Sequence, residues 1–267
     1  MASQGIKPKK QLGQVFLKNK RFIEKIISAL KIQPKETIIE IGAGTGILTE
    51  ALLKTKAKVI AIEKDSSLFN FLKERFKDNQ NLEIIHEDIR NIFNSKLKIQ
   101  DSEFNYKLVG NIPYYLTNYL FRLLVDLEKK PKLVVLMIQK EVALRITSKP
   151  PKMNLLAVLI QTFFQPKIIC YVSKNNFWPQ PKIDSAIIQL IPSKPIFQNK
   201  KEKEKFIKII KAGFSQPRKL LIKNLNLKLK LEKEKILLVF KKTKIYKNSR
   251  AQEIGLKKWF TLFKLLK

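Results

Sequence analysis

Three glycines at alternate positions form the first group of residues that could do chemistry. They are Gly42, Gly44 and Gly46, and only eight glycines occur in the chain. They follow the β-branched run Thr37–Ile41, which predicts a buried parallel strand, and they precede an apolar stretch that predicts a helix. Glycine at such a turn lets the backbone bend sharply and approach a ligand closely. With Glu40 two residues ahead, the spacing G-x-G-x-G differs from the G-x-G-x-x-G of dinucleotide sites.

Two carboxylates follow the next two predicted strands. Glu63 comes directly after Lys58–Ile62, and Asp88 comes shortly after Leu82–His86. An acidic residue at the end of the second strand can hold both hydroxyls of an adenosine ribose. Asp88 is placed to reach the adenine amine. Either carboxylate alone is more often a solvated loop acid, but together, at successive strand ends after a glycine turn, they predict an adenosine cofactor.

Asn111-Ile112-Pro113-Tyr114 is the most specific motif, and it follows a fourth predicted strand, Tyr106–Gly110. It is similar to the loop of methyltransferases that act on an amino group in a base. An adenine amine is a poor nucleophile because its lone pair is delocalised into the ring. The Asn111 oxygen and a nearby backbone carbonyl, such as that of Ile112, can hold both N–H groups, so the rate gain comes from positioning. Pro113 stiffens the loop, and Tyr114 offers a face on which an extruded base can stack. A plain turn with a core tyrosine is the alternative for these residues taken alone.

A proline-rich loop with two aromatic residues covers Phe177–Ser185. It lies beside a predicted edge strand, so we expect Phe177 to cover the other face of a flipped base. For Trp178, packing within the loop is an equally good interpretation.

Strands and helices alternate through the first two thirds of the chain, which predicts a doubly wound α/β sheet with ligands at the carboxyl ends of its strands. The predicted helices are Lys20–Leu30, one starting at Ile47, Ser66–Phe76, Thr117–Leu127, Lys140–Ile146 and Leu155–Phe164. The later predicted strands are Lys132–Ile138, Lys167–Val172 and Ile183–Ile191, the last two antiparallel at the sheet edge. The stretch from Asp88 to about Asn105 is predicted to be a polar connection.

Composition changes near Pro192–Glu204, where Lys, Pro, Gln and Asn predict a linker. We therefore predict a basic arm over 1–17, a sheet domain over 18–194 and a small all-helical domain over 200–267. The four helices predicted in the last domain are Lys205–Ser215, Arg218–Leu227, Glu232–Phe240 and Ser249–Leu266.

The net charge of +32, from 54 Lys and Arg against 22 Asp and Glu, indicates a polyanionic partner such as RNA or DNA. An A/T-rich genome and an anionic membrane surface are the alternative explanations. No apolar run approaches the roughly 20 residues needed to span a bilayer, and no signal-peptide core is found. The single cysteine, Cys170, and the single histidine, His86, argue against disulfides and metal sites. We expect metal-free chemistry inside the cell, away from membranes.

Several segments together resemble the ribosomal RNA adenine N6,N6-dimethyltransferases over nearly the whole chain. They are Gln11–Leu17, Glu40–Gly46, Gly110–Tyr114, Gln139–Val142, Phe177–Ser185 and, in the tail, Ala212–Lys219. The resemblance implies a class I S-adenosylmethionine-dependent methyltransferase, a Rossmann-like doubly wound sheet with a C-terminal helical RNA-binding domain. It implies a cytoplasmic monomer that dimethylates two adjacent adenines in a hairpin near the 3′ end of small-subunit rRNA, in ribosome biogenesis.

The resemblance also implies roles for individual residues. The positions expected to contact S-adenosylmethionine, including two added from the glycine motif, are Val15, Leu17, Glu40, Gly42, Gly44, Glu63, Asp88 and Asn111. The expected catalytic residues are Asn111, Pro113, Tyr114 and Phe177, and no metal ligand is expected. The expected RNA contacts are Arg218, Lys219 and Lys223.

Two positions depart from the family pattern. Val15 stands where the family usually has Asn or His, so only a contact through its backbone can survive. Pro217 replaces the first Arg of the tail motif and removes one RNA cation.

Two other functions stay open at this point. The related large-subunit methyltransferase of macrolide resistance shares the N-I-P-Y and F-x-P-x-P-K segments, whereas Asp184-Ser185 and Gln216-x-Arg218-Lys219 favour the small-subunit enzyme. A non-catalytic RNA-binding or transcription-assisting protein on this fold is the second alternative, and the intact motif residues argue against it.

Overall fold

The computed structural model describes residues 8–95, 105–194 and 196–266. Lys7 of the predicted arm and most of the predicted polar connection after Asp88 lie outside these residues. Contacts divide the chain into two compact units. The first extends to Ala143 and includes Lys167–Pro192, and the second holds Leu144–Pro166 and the residues from Ser193 on.

The first unit contains the expected sheet together with a small two-stranded ribbon. Its strands are β1 (Phe16–Leu17), β2 (Thr37–Ile41), β3 (Lys58–Glu63), β4 (Leu82–His86), β5 (Tyr106–Asn111), β6 (Leu133–Gln139), β7 (Phe164–Val172), β8 (Phe177–Trp178) and β9 (Ser185–Pro192). Seven of them form one sheet in the order β4-β3-β2-β5-β6-β9-β7, and β1 pairs with β8. Neighbours from β4 to β6 are parallel, and β9 is antiparallel to β6. The predicted α/β class is confirmed.

The strand order reverses between β2 and β5, which are neighbours in the sheet. From β2 the chain adds β3 and β4 on one side, and it then returns to place β5 and β6 on the other. Ligands of doubly wound sheets bind outside the carboxyl ends of strands at such a reversal. The glycine turn follows β2 and Asn111 ends β5, so the topology brings the two predicted motifs together.

The helices are α1 (Lys20–Leu30), α2 (Ile47–Leu53), α3 (Ser66–Arg75), α4 (Ile89–Ser95), α5 (Thr117–Asp126), α6 (Lys140–Ile146), α7 (Leu155–Phe163), α8 (Lys200–Gly213), α9 (Leu221–Leu229), α10 (Lys233–Thr243) and α11 (Leu256–Leu265). The bounds predicted for α1 and α6 agree with the structure. Asn19 caps α1 by accepting a hydrogen bond from the backbone N–H of Arg21. The prediction of a polar connection after Asp88 was wrong where α4 begins, because a helix of seven residues shows little periodicity.

The segment 144–166 was predicted as part of the sheet domain, but it packs in the second unit. The reason is the apolar face of α7: Ala157 and Val158 are buried in one cluster with Phe206 of α8 and Trp259 of α11. The linker is also shorter than predicted, because Asn199 accepts the N–H of Glu202 and starts α8.

Close packing of α8 against α11 depends on Gly213. A Cβ at that position would lie 2.4 Å from the ring of Trp259, whose side chain is fully buried. Any larger residue at position 213 would push the two helices apart.

Across the described residues, none of the helices is both long and apolar enough to cross a membrane.

Candidate active site at the carboxyl ends of β2 and β5

A cleft in the first unit opens at the carboxyl ends of the parallel strands. It encloses about 1020 Å³ of space, including the open solvent at its mouth. The segments that contribute to its lining are 12–17, 40–45, 62–64 and 87–89, together with Asn111, Pro113, Tyr115 and Leu116, whereas Tyr114 is not among the lining residues. Val15, Leu17, Glu40, Gly42, Gly44, Glu63, Asp88, Asn111 and Pro113 are all among the lining residues.

The glycine turn forms the floor beside β2. Gly44 has φ +61°, and its N–H donates to the Glu63 carboxylate at 2.9 Å. Gly46 has φ +78° and stands directly before α2, where a Cβ would lie 2.7 Å from the ring of Phe76. Other residue types rarely adopt this left-handed conformation, so glycine is required at both positions.

Glu40 supports this turn from inside the protein. Its carboxyl group accepts the Thr49 hydroxyl at 2.6 Å and is 1% exposed. Burial, reinforced by the nearby charge of Glu63, raises the pKa of Glu40 to about 8. The carboxyl group of Glu40 therefore binds the first turn of α2, and its contact with a cofactor stays a prediction.

Glu63 is held by backbone N–H groups at the edge of the cleft. One of its oxygens accepts the N–H of Gly44, and the other accepts the N–H of Asp65 at 2.8 Å. The backbone N–H of Lys64 also hydrogen-bonds to this carboxylate, which offers about four acceptor positions in all. Burial raises the pKa of Glu63, and these backbone hydrogen bonds oppose that rise. The backbone thus holds this carboxylate in one orientation at the edge of the cleft.

Asp88 is already paired with two cations that the sequence analysis missed. Arg90 binds both carboxylate oxygens, with the shortest contact at 2.6 Å, and Lys64 lies 3.0 Å from one of them. The Arg90 guanidinium, and after it Lys64, holds the pKa of Asp88 well below its usual range although burial opposes this. Any further group that binds this carboxylate must therefore share it with two positive charges.

Asn111 ends β5 with its side chain held by the N-terminal arm. Its Nδ2 donates to the backbone carbonyl of Val15 at 2.9 Å. Because a carbonyl oxygen only accepts, the amide group must present its NH₂ to Val15 and direct its oxygen elsewhere. This contact needs only the backbone of Val15, so the valine at this position keeps it.

Tyr114, predicted to stack on the target base, is less exposed than the neighbouring Tyr115. Tyr114 is half-buried, and its hydroxyl lies 2.9 Å from that of the fully buried Ser185. Burial raises the pKa of Tyr114 although the Ser185 hydrogen bond opposes this. Tyr115, which the sequence analysis did not select, is 51% exposed and lines the cleft.

The role predicted for Phe177 is contradicted by its burial. Phe177 is 1% exposed and belongs to the core of the first unit, because β8 pairs with β1 and sets Phe177 opposite Leu17. Its ring is not open to a base. Trp178 is half-buried and stacks on Phe16, with ring centroids 6.3 Å apart.

The expected RNA contacts lie in the second unit. Arg218 and Lys219 are exposed in the turn between α8 and α9, and Lys223 is exposed on α9. Asn224, which is 1% exposed, holds that turn by donating to the carbonyls of Gly213 at 2.7 Å and Gln216 at 3.0 Å.

The chain is similar to known proteins over nearly its full length. The family profile described as ribosomal RNA adenine dimethylase matches residues 5–267. The ribosomal RNA small subunit methyltransferase A of Dehalococcoides mccartyi is 36% identical over 260 residues, which cover 97% of this chain and 88% of that protein. A protein of the same name from Thermotoga maritima is 40% identical over 223 residues, covering 83% of this chain and 75% of that protein.

Two solved structures share the fold. A dimethyladenosine transferase from Plasmodium falciparum has a TM-score of 0.78 at 27% identity and covers 92% of this chain and 95% of its own. The 23S rRNA methyltransferase ErmE has a TM-score of 0.76 at 22% identity, and the match covers 94% of this chain and 99% of that chain. At that identity, ErmE shows a common fold alone.

Proposed function

The chain belongs to the ribosomal RNA adenine dimethylase family, and on this premise we propose that it methylates an adenine amine of small-subunit rRNA with S-adenosylmethionine. The observation that carries the proposal is the Asn111 amide, whose orientation by Val15 leaves its oxygen free to accept an amine N–H. The choice of the small subunit is supported by the printed names of relatives at 36% and 40% identity. The full proposal is that a monomer dimethylates two adjacent adenines in a hairpin near the 3′ end of that RNA.

The residues around the cleft fit an adenosine cofactor. The Glu63 carboxylate lines the cleft, and its oxygens are acceptors that suit the ribose hydroxyls. Gly42 and Gly44 have no side chain to fill the floor of the cleft. Asp88 lines the cleft just after β4 and would bind the adenine amine. Bound S-adenosylmethionine supplies a methyl group activated by a sulfonium centre.

Asn111 and the backbone beside it act on the target amine. The Asn111 oxygen accepts one N–H, and the carbonyl of Ile112 is suited to accept the other. Holding both protons favours a pyramidal nitrogen with its lone pair available for bonding to carbon. A strong base is not needed, because the amine proton leaves to solvent only after the nitrogen has become cationic. The expected gain in rate therefore comes from positioning and hydrogen bonding at the amine.

Aromatic rings and cations would hold the RNA. Tyr114 and Tyr115 lie three and four residues after Asn111 and offer partly exposed rings to an extruded adenine. The net charge of +32 favours binding to phosphates, and Arg218, Lys219 and Lys223 are exposed for that purpose.

The test is methyl transfer from tritiated S-adenosylmethionine to unmethylated small and large ribosomal subunits, followed by mapping of the label. We expect label on adenine N6 in the small-subunit RNA only. Label in the large-subunit RNA would instead support the macrolide-resistance activity. Binding of the small subunit without any transfer would support a non-catalytic role.

A further inference from the structure

The N-terminal arm forms one wall of the cleft and is fixed to the rest of the first unit at three places. Residues 12–17 all line the cleft. The carbonyl of Val15 accepts the Asn111 amide, and β1 pairs with β8 beyond it. The third attachment is to Asp65, which the family motifs do not include and to which the proposed reaction assigns no role.

Asp65 is a buried carboxylate that binds the arm with both oxygens. Its side chain is 2% exposed. Oδ1 caps α3 by accepting the N–H of Ser67 at 2.9 Å, and it also accepts Lys9 Nζ at 2.9 Å. Within the part of the chain that the structure describes, Oδ2 accepts one hydrogen bond, from Gln14 Nε2 at 2.9 Å. Burial alone would raise the pKa of Asp65, but these donors outweigh burial and lower it, so the group is ionised at neutral pH.

Gln14 is held from two sides. Its Nε2 donates to Asp65, and its Oε1 accepts the backbone N–H of Lys9 at 2.8 Å. These two bonds fix both the orientation of the Gln14 amide and the path of the backbone into Val15. Because the next carbonyl along the chain is the one that orients Asn111, a shift of Gln14 moves the acceptor of the Asn111 amide.

We propose that Gln14 and Asp65 form a latch that positions Asn111 for methyl transfer by fixing the arm over the cleft. Gln14 and Asp65 are positioning residues in this proposal, since they act on Asn111 through the Val15 carbonyl. The kinetic part of this inference rests on the function proposed above. The structural part, that the latch fixes the arm, does not depend on it.

Because Gln14 donates the hydrogen bond to Oδ2 of Asp65, mutation can swap the donor and the acceptor. Gln14→Glu places two carboxylates together and breaks the latch. Asp65→Asn places two NH₂ groups together but keeps the oxygen that caps α3. In the double variant the new amide donates to the new carboxylate, so the bond is restored in the opposite direction while the cap is preserved. Lys9→Met, at a side chain that is 50% exposed, removes the second contact without changing Gln14.

Two measurements are made on the full-length protein, with thermal melts beside them. The first is single-turnover methyl transfer to small subunits at saturating S-adenosylmethionine. The second is amide hydrogen exchange at Lys18, whose N–H donates to Asn176 at 2.8 Å and reports docking of the arm. We expect Gln14→Glu and Asp65→Asn each to transfer methyl about 10- to 100-fold more slowly. Each should also show faster hydrogen exchange at the Lys18 amide. Lys9→Met should have a smaller effect of the same kind, and the double variant should return to within a few-fold of the wild type.

Wild-type transfer by Gln14→Glu would overturn the inference, as would a double variant as slow as its parents. Faster hydrogen exchange at Lys18 with an unchanged rate of methyl transfer would also overturn it. Gln14 and Asp65 would then fix the arm without positioning Asn111. If the wild-type protein methylates neither subunit, the proposed function fails, and the exchange data alone still decide whether the latch fixes the arm.

Discussion

The hydrogen bond between Tyr114 and Ser185 separates the role of the tyrosine ring from that of its hydroxyl. The two oxygens lie 2.9 Å apart, and Ser185 is fully buried at the start of β9. Tyr114→Phe leaves the Ser185 hydroxyl without this partner in a place that water does not reach. We expect it to cost about 1–3 kcal/mol of folding free energy. Ser185→Ala should cost less, because Tyr114 is only half-buried and water can reach its hydroxyl.

A double-mutant cycle measures this bond directly. Tyr114→Phe, Ser185→Ala and the double variant are unfolded in urea, and their free energies of unfolding are compared. We expect a coupling energy of about 1 kcal/mol, since each single change already removes the bond. A coupling near zero would show that the two hydroxyls do not bind each other in solution.

Single-turnover methyl transfer on the same variants tests the function of the ring. Tyr114→Phe keeps the ring and should stay within a few-fold of the wild-type rate. Tyr114→Ala should lose about 1–3 kcal/mol of base stacking, a decrease of roughly 10- to 100-fold. Tyr115→Ala, at the exposed neighbouring ring, serves as the matched comparison. The reasoning is refuted if Tyr114→Phe is as slow as Tyr114→Ala, or if only Tyr115→Ala slows transfer.

Three further predictions concern the cofactor, pH and RNA. Glu63→Ala should weaken S-adenosylmethionine binding by about 1–3 kcal/mol in calorimetry, with the exposed Glu74→Ala as control; unchanged affinity would contradict the ribose assignment. Since burial raises the pKa of Glu40 from 4.5 to about 8, its contribution to stability is complete below pH 4.5 and is lost as pH rises through 8. Glu40→Gln should therefore gain melting temperature relative to wild type over that range, and a constant difference would refute the raised pKa. Replacing Arg218 or Lys219 by Ala should reduce the salt dependence of rRNA binding by about one counterion each, and an unchanged slope would exclude a phosphate contact.

Strongly patterned elements could be predicted from the sequence for a physical reason. The strands β2, β3, β5 and β6 are covered on both faces, so burial selects continuous apolar runs that are visible without any knowledge of the fold. The position of Glu63 and Asn111 at the ends of such strands then follows from the geometry of parallel sheets.

The missed features depend on contacts between distant parts of the chain. β1 and β8 have two residues each and pair across more than 150 positions, so neither has a pattern of its own. That pairing buries Phe177, and nothing in a proline-rich loop distinguishes a buried ring from an open one. The orientation of Asn111 is set by a backbone carbonyl, which every residue type at position 15 would supply.

The most direct test of the account is the rate of single-turnover methyl transfer by Asn111→Ala on unmethylated small subunits. If the Asn111 oxygen holds the amine in the transition state, the rate should fall about 10²- to 10³-fold, with RNA affinity unchanged and at most a modest loss of cofactor affinity. Asn70→Ala, at an exposed position of α3 that does not line the cleft, should transfer at the wild-type rate. Transfer by Asn111→Ala at the wild-type rate would contradict the central claim.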